Sequence, residues 1–376
     1  MVEYGALVSF LKKTAAWLLA ALWIGPAAGA DWPMFHASPD LAGVTTDHLP
    51  PKPVQLWSFK TGGPVKSSPA VVGGRVYVGS DDNKLRALDL ADGHLVWEQA
   101  TGGEVDSAPL FLDGRVFAGS ADGSLYALNA TNGSRLWKYE TGDKIPGAPN
   151  YVRLDGTNRL LVGSYDFKLH CVDAATGAKV WIYETGNYIN GAPAVADGQA
   201  AFGGCDGILH VISLREGKSV AEIEAGGYIA GSVALAGGRA FFGHYENAFL
   251  CVDLQTRTNV WRFHDRSYPY FSTPAVTTDR VIFGCQDKIL RCVKRPTGEL
   301  VWAFPTRGKV DSSPAVAGAT VVVGSSDGRL YGVDLETGKE LWRFDLGQPV
   351  ESSPAVAAGR IVVGCDDGSV YCFGAP

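Results

Sequence analysis

Apolar and polar residues alternate with period two along most of the chain, in short runs separated by glycine-rich joints. Residues 310–342 show one complete unit: "VDSSPAVAG", "TVVVGSS", "RLYGVDL" and "KELWRFD" are four strand-like runs. "SDG" at 326–328 joins the second run to the third, and "ETG" at 336–338 joins the third to the fourth. Glycine in such joints takes the positive φ of a tight hairpin turn. No segment beyond residue 30 carries a helical period. Four antiparallel strands per unit predict the blade of a propeller.

The unit recurs. Tryptophans stand at Trp57, Trp97, Trp137, Trp181, Trp261, Trp302 and Trp342, at intervals of 40, 40, 44, 80, 41 and 40 residues. The interval of 80 is two units, and its midpoint is Ala221 in "GKSVAEIEAGG". Eight copies of a period near 40 are therefore present. A large ring at one position per blade is expected to dock on the neighbouring sheet, stabilising the fold by roughly 2–3 kcal/mol each. Ala221 then predicts a looser seam at the fourth blade. The first-strand proline slot also counts eight: Pro69, Pro109, Pro149, Pro193, Val233, Pro274, Pro314 and Pro354. The last copy ends at "SVYCFGAP" without a fourth strand, whereas the chain supplies an orphan fourth strand, "VQLWSFKTGG", around Trp57. Joined, they complete one blade and remove the free sheet edge. The expectation is an all-β, single eight-bladed propeller over 54–376, its last blade closed by the N-terminal strand, preceded by an arm at 31–53.

Composition changes this picture little. A chain of 376 residues with 46% hydrophobic content can bury a large core, and 47 glycines with 20 prolines suit many turns. With 19% charged residues, a net charge of −6 and no basic stretch, nucleic acid is excluded as a partner. Residues 1–30 read as a separate object. Lys12 and Lys13 precede "AAWLLAALWIG", and "PAAGA" places small residues at Ala28 and Ala30. This is the pattern of a cleaved secretion signal, shorter than the roughly 20 apolar residues of a spanning helix. No cysteine lies near the cleavage point to carry a lipid. The expected product is exported to the periplasm or the exterior, a monomer with no stable membrane anchor.

Candidate chemistry is sparse. His170 and His210 share a slot occupied elsewhere by Tyr126, Tyr331 and Tyr371, which argues for packing rather than metal ligation. Cys285 and Cys292, like Cys365 and Cys372, fall in one hairpin. Diagonal placement there leaves Cβ atoms too far apart for a disulfide, so buried thiols are expected. The repeat fails most visibly at one mouth. The residue before the first strand's Val or Ile is Pro64, Glu104, Lys144, Tyr188, Tyr228, Lys309 or Pro349, and blade six reads "HDRSYPYF". Tyr188, Tyr228, Tyr268, Tyr270 and Phe271 thus gather beside the divergent hairpins that carry Tyr165, Tyr245 and His244. These eight residues are the candidate binding site.

The opening "DWPMFHASPDLAGV", followed by copies of a consensus built from SSPAV, VYVGSDDG, LYALD, TG and W, resembles the pyrroloquinoline-quinone-like (PQQ-like) repeat propellers over residues 31–376. That family includes quinone-dependent dehydrogenases and the outer-membrane assembly lipoprotein BamB. The dehydrogenases hold their quinone between a tryptophan and a disulfide of adjacent cysteines, over a calcium. This chain has no Cys-Cys pair, and seven of its 10 tryptophans are in docking slots, two in the signal and one, Trp32, in the arm. Neither PQQ nor calcium is therefore expected, and no catalytic residue is assigned. The resemblance implies a non-enzymatic scaffold for a protein or small-molecule ligand, in an assembly role like that of BamB. The alternative is a PQQ-dependent oxidoreductase with an unrecognised site.

Overall fold

The computed structural model describes residues 30–376, so the expected secretion signal lies, apart from Ala30, outside the described residues. Eight four-stranded antiparallel sheets follow one another along the chain. Blade one is typical, with strands Ala70–Val72, Arg75–Ser80, Lys84–Asp89 and Leu95–Ala100. Blade eight takes three strands from the C-terminus, Ala355–Ala357, Arg360–Cys365 and Ser369–Gly374, and its fourth, Val54–Lys60, from the N-terminus. Trp57 lies opposite Cys372 in that shared sheet. The ring closes as the repeat predicts.

The serines of "SSPA" tie blade to blade. Ser67 Oγ donates to the Ser107 carbonyl, Ser107 Oγ to that of Gly147, and Ser312 Oγ to that of Ser352. Ser352 Oγ then donates to the Ser67 carbonyl, and the Ser353 amide to Ser68 Oγ, so the belt runs across the closure. These hydroxyls are buried, where an unpaired polar group is costly.

The arm is more than a leader into the first strand. It contacts the innermost strands of seven blades in order and then the first turn of blade eight. Trp32 bridges Val71, the Pro33 carbonyl accepts from Phe111, and the Pro39 carbonyl accepts from both Asn150 Nδ2 and Val195. Asp40, Ala42 and Gly43 accept from Leu235, Val276 and Val316 of blades five, six and seven. Val44–Thr45 adds a fifth, parallel strand to blade seven, and the Asp47 carboxylate accepts from Gly359 of blade eight. Inner strands expose amides to the axis, and the arm satisfies them one blade at a time. Phe35 floors what remains of the channel, a well of about 170 Å³.

Six of the seven repeat tryptophans, all but Trp342, lie against the last turn of the next blade. Trp57, Trp97, Trp181, Trp261 and Trp302 donate their indole N–H to the carbonyls of Leu90, Ala130, Leu214, Arg295 and Leu335 in the next blade. Each ring lies against a glycine of that blade's last turn. A Cβ at Gly93, Gly133, Gly177, Gly217, Gly298 or Gly338 would meet an indole at 2.5–2.8 Å, and all six hold positive φ. Where Ala221 replaces the tryptophan, the receiving position is Arg257, at φ 60°, whose guanidinium donates to the Val220 carbonyl. Donor and receiver have changed together. Restoring both, as Ala221→Trp with Arg257→Gly, is expected to raise the unfolding free energy by about 2 kcal/mol. Ala221→Trp alone should gain nothing, because Arg257 puts a Cβ where the other seams have a glycine directly against the indole. Equal stability of the two variants in denaturant titration would contradict this docking rule.

All seven cysteines are free, and six are buried. Their spacing differs from the diagonal expectation. Cys285 pairs with Ile289 and Cys292 with Ile282, three rungs apart on opposite faces, and Cys365 and Cys372 repeat that register. Burial pushes the thiols of Cys171, Cys251, Cys285, Cys292, Cys365 and Cys372 up to about 12.

Candidate ligand-binding face

The loops entering each first strand and the second-to-third-strand hairpins open on one face. Each turn aspartate there is held twice. Asp82, Asp122, Asp166 and Asp206 accept from the amides of Gly62, Gly102, Gly142 and Gly186. Four residues on, Arg86, Tyr126, His170 and His210 hydrogen-bond to the same carboxylates. The slot shared by tyrosine, histidine and arginine is thus a hairpin brace, and its histidines are committed to it. Blade five lacks the brace, with Glu246 and Leu250 in the two positions.

Blades three to six carry the aromatic arc, and of these only blade five lacks the brace. Tyr188 is 39% exposed, Tyr228 54%, Tyr245 52% and Tyr268 49%. Tyr165 stacks on Tyr188 with centroids 4.5 Å apart, and Lys144 Nζ sits 4.4 Å over the Tyr165 ring. Tyr228 lies 6.5 Å from Tyr245, which stacks on Phe271 at 5.9 Å. Loop tyrosines and hairpin tyrosines therefore pair, and the pairs hold an apolar surface open to solvent. Phe167, 40% exposed and edge-on to Tyr188 at 5.0 Å, belongs to the arc and was missed. The hairpin "SYDFK" in which it follows Tyr165 was the available signal.

Two candidate residues are not on this surface. Tyr270 is 1% exposed and packs edge-on to Phe283 at 5.6 Å. Its Cβ lies where Val105 and Val310 sit in other blades, against Gly243 as those lie against Gly79 and Gly284. The irregular "SYPYF" thus places Tyr270, not an aliphatic residue, in the buried first-strand slot, and Pro269 in the rim slot. Burial pushes its hydroxyl well above the usual phenol range. His244 is fully buried, and its Nδ1 accepts from the Glu246 amide. Burial lowers it to about 4, so it is a neutral structural side chain at pH 7.

The opposite arc is charged. Lys66 Nζ pairs with Asp81 at 2.7 Å, and Gln286 Nε2 donates to Asp311 at 3.2 Å. Burial, with Asp81 adjacent, raises Asp106 to about 7, and burial raises Asp366 to about 6. Between about pH 4 and pH 7 the folded protein thus keeps on Asp106 a proton that the unfolded chain has released, so stability falls as pH rises through that window. Asp106→Asn should remove this slope: its melting temperature relative to the parent should rise from pH 4.5 to pH 8. A difference that stays flat would contradict the assignment. Among the described residues, one group has metal-ligand spacing, Asp89, Asp92 and His94. It lies in an outer turn whose carboxylates accept from the Ala91 and His94 amides.

Fold and face together define an eight-bladed propeller plugged at one end of its axis, with a half-aromatic, half-charged mouth at the other. A family profile described as outer membrane protein assembly factor BamB matches residues 51–158, 147–220 and 286–375. The chain belongs to that family of PQQ-like repeat propellers. No curated protein matches it. Among solved structures, BamB from Moraxella catarrhalis is 18% identical, with TM-score 0.71, covering 86% of this chain and 98% of that one. The quinohemoprotein alcohol dehydrogenase from Comamonas testosteroni is 14% identical, with TM-score 0.77, covering 92% and 80%. The computationally designed Ika8 protein is 19% identical, with TM-score 0.75, covering 85% and 99%. At these identities the likeness shows the fold alone.

Proposed function

We propose that the protein is an exported, non-enzymatic scaffold, working in the periplasm or outside the cell, that holds an extended segment of a partner protein across the aromatic arc. The observation that carries this reading is the solvent exposure of Tyr188, Tyr228, Tyr245 and Tyr268 side by side on one mouth. Binding surfaces are enriched in tyrosine, which offers a broad rigid ring with a polar tip. The family's description as an outer membrane assembly factor supports a protein as the occupant. A reading without quinone or calcium is supported by the residues available. All seven cysteines are free and none is adjacent to another, seven tryptophans stand in seam positions, and Trp32 is buried where the arm meets blade one.

The test is a photo-crosslinking residue at Tyr228, with one at Lys339, in a turn of the opposite face, as the control. Cross-linking of the same envelope protein from Tyr228 and not from Lys339 is expected. Equal labelling from both positions would contradict a partner held on the aromatic face.

A further inference from the structure

The seam between blades four and five is hollow. A cavity of about 490 Å³ lies there, floored by Ala201, Leu235 and Leu254, with Asp197, Arg239 and Gln255 around its mouth. One position in its floor is Ala201, and Ala221 lies two strands further out on the same rung. Ala201 stands where blade one has Tyr77, blade two Phe117 and blade five Phe241, rings that lie 5.6–6.0 Å from their own blade's tryptophan. Ala221 stands where that tryptophan would be, and both alanines pair with Val211 on the same rung. Blade four has lost two aromatic rings from one row. The corresponding cavity between blades two and three, lined by Phe117, measures about 220 Å³.

The vacancy has a defined polar feature as well as a shape. At five other seams the carbonyl just after the third strand accepts an indole N–H from the preceding blade. In blade five that residue is Leu254, which lines the cavity and has no tryptophan opposite it. Pockets from about 300 Å³ upward that combine apolar walls with a few polar groups hold drug-sized molecules. We infer that this seam is a second binding site, remote from the aromatic arc, for a small aromatic molecule carrying one N–H or O–H donor of the indole or phenol type. The ring replaces the missing side chains over Ala201 and Leu235, and the donor meets the Leu254 carbonyl. Polar substituents extend past Gln255 and Arg239 into solvent.

Titration calorimetry with indole, and with benzofuran as the same ring shape without the donor, tests this on the mature protein. Saturable indole binding is expected, with benzofuran weaker by about fivefold for the lost hydrogen bond. Ala201→Phe, which copies blades two and five, should abolish binding while circular dichroism shows an intact fold. The double change Ala221→Trp with Arg257→Gly supplies an internal indole to Leu254 and should abolish it independently. Indole binding that survives both changes, equal affinity for benzofuran, or no saturable indole binding at all would overturn the proposal.

Discussion

Deleting residues 31–64 is expected to lower the melting temperature by about 10 °C or more and to broaden the transition. Three losses coincide. Blade eight loses its outer strand, which leaves the Ser369–Gly374 edge unpaired. Trp57 leaves its seam, and with it the contact to Gly93 and the bond to the Leu90 carbonyl; large-to-small changes at buried rings cost about 3–5 kcal/mol. All eight blades also lose the arm, which meets inner-strand amides in most of them, Asn150 in blade three and the Gly359 turn in blade eight. Domains of about 150–250 residues shift their melting temperature by roughly 2–4 °C per kcal/mol and larger ones by less, so a shift of this size requires the three losses together. The shorter deletion of 31–53 separates the terms: it removes the plug and keeps the closing strand. It should destabilise by less than the full deletion and leave one cooperative transition. A 31–64 deletion that melts like the parent would show that blade eight does not close the ring.

Changing Tyr188, Tyr228 and Tyr268 together to serine is expected to abolish partner capture while moving the melting temperature by no more than about 2 °C. All three are at least 39% exposed, and exposed substitutions typically fall within about 0.5 kcal/mol. A binding surface of this kind concentrates its energy in a few aromatic anchors, so losing three of them removes most of the affinity. The charged arc around Lys66, Asp81 and Asp106 is left intact by this variant. Any salt-sensitive residual attraction measures its share. Changing Tyr270 to serine is the informative contrast. That ring is buried among Phe249 and Phe283, so the result should be unfolding rather than loss of capture.

The architecture was readable because a propeller is written as a repeat. Period, turn glycines and the split last blade each follow from strand geometry that every copy must satisfy, so eight copies report one rule. Features that join separate copies were harder to see. The serine belt is encoded in "SSPA", yet its partners lie 40 residues away or, at the closure, 285. The arm's route around the axis has no repeat of its own, and its hydrogen bonds are mostly backbone ones that any sequence could make. At the site, the loop tyrosines were legible as departures from the repeat. Tyr270 was misplaced because a two-residue irregularity in "SYPYF" sets which aromatic side chain enters the core. His244 was misplaced for the neighbouring reason, since it takes a slot that other blades fill with serine, cysteine or glycine. Ala221 marked the seam where the docking pattern changes, but Ala201, which lines a cavity there, and Arg257, which reaches the Val220 carbonyl, show their meaning only once the strands are paired.

The central claim is that the exposed aromatic mouth holds a protein and that no quinone works in this ring. It is tested most directly on the mature protein purified from its native envelope after cross-linking from Tyr228, by mass spectrometry and a visible absorption spectrum on the same sample. The account predicts one envelope protein joined at that position, no quinone chromophore, and no alcohol oxidation when pyrroloquinoline quinone and calcium are added. A stoichiometric quinone chromophore with turnover, and no partner at Tyr228, would contradict it.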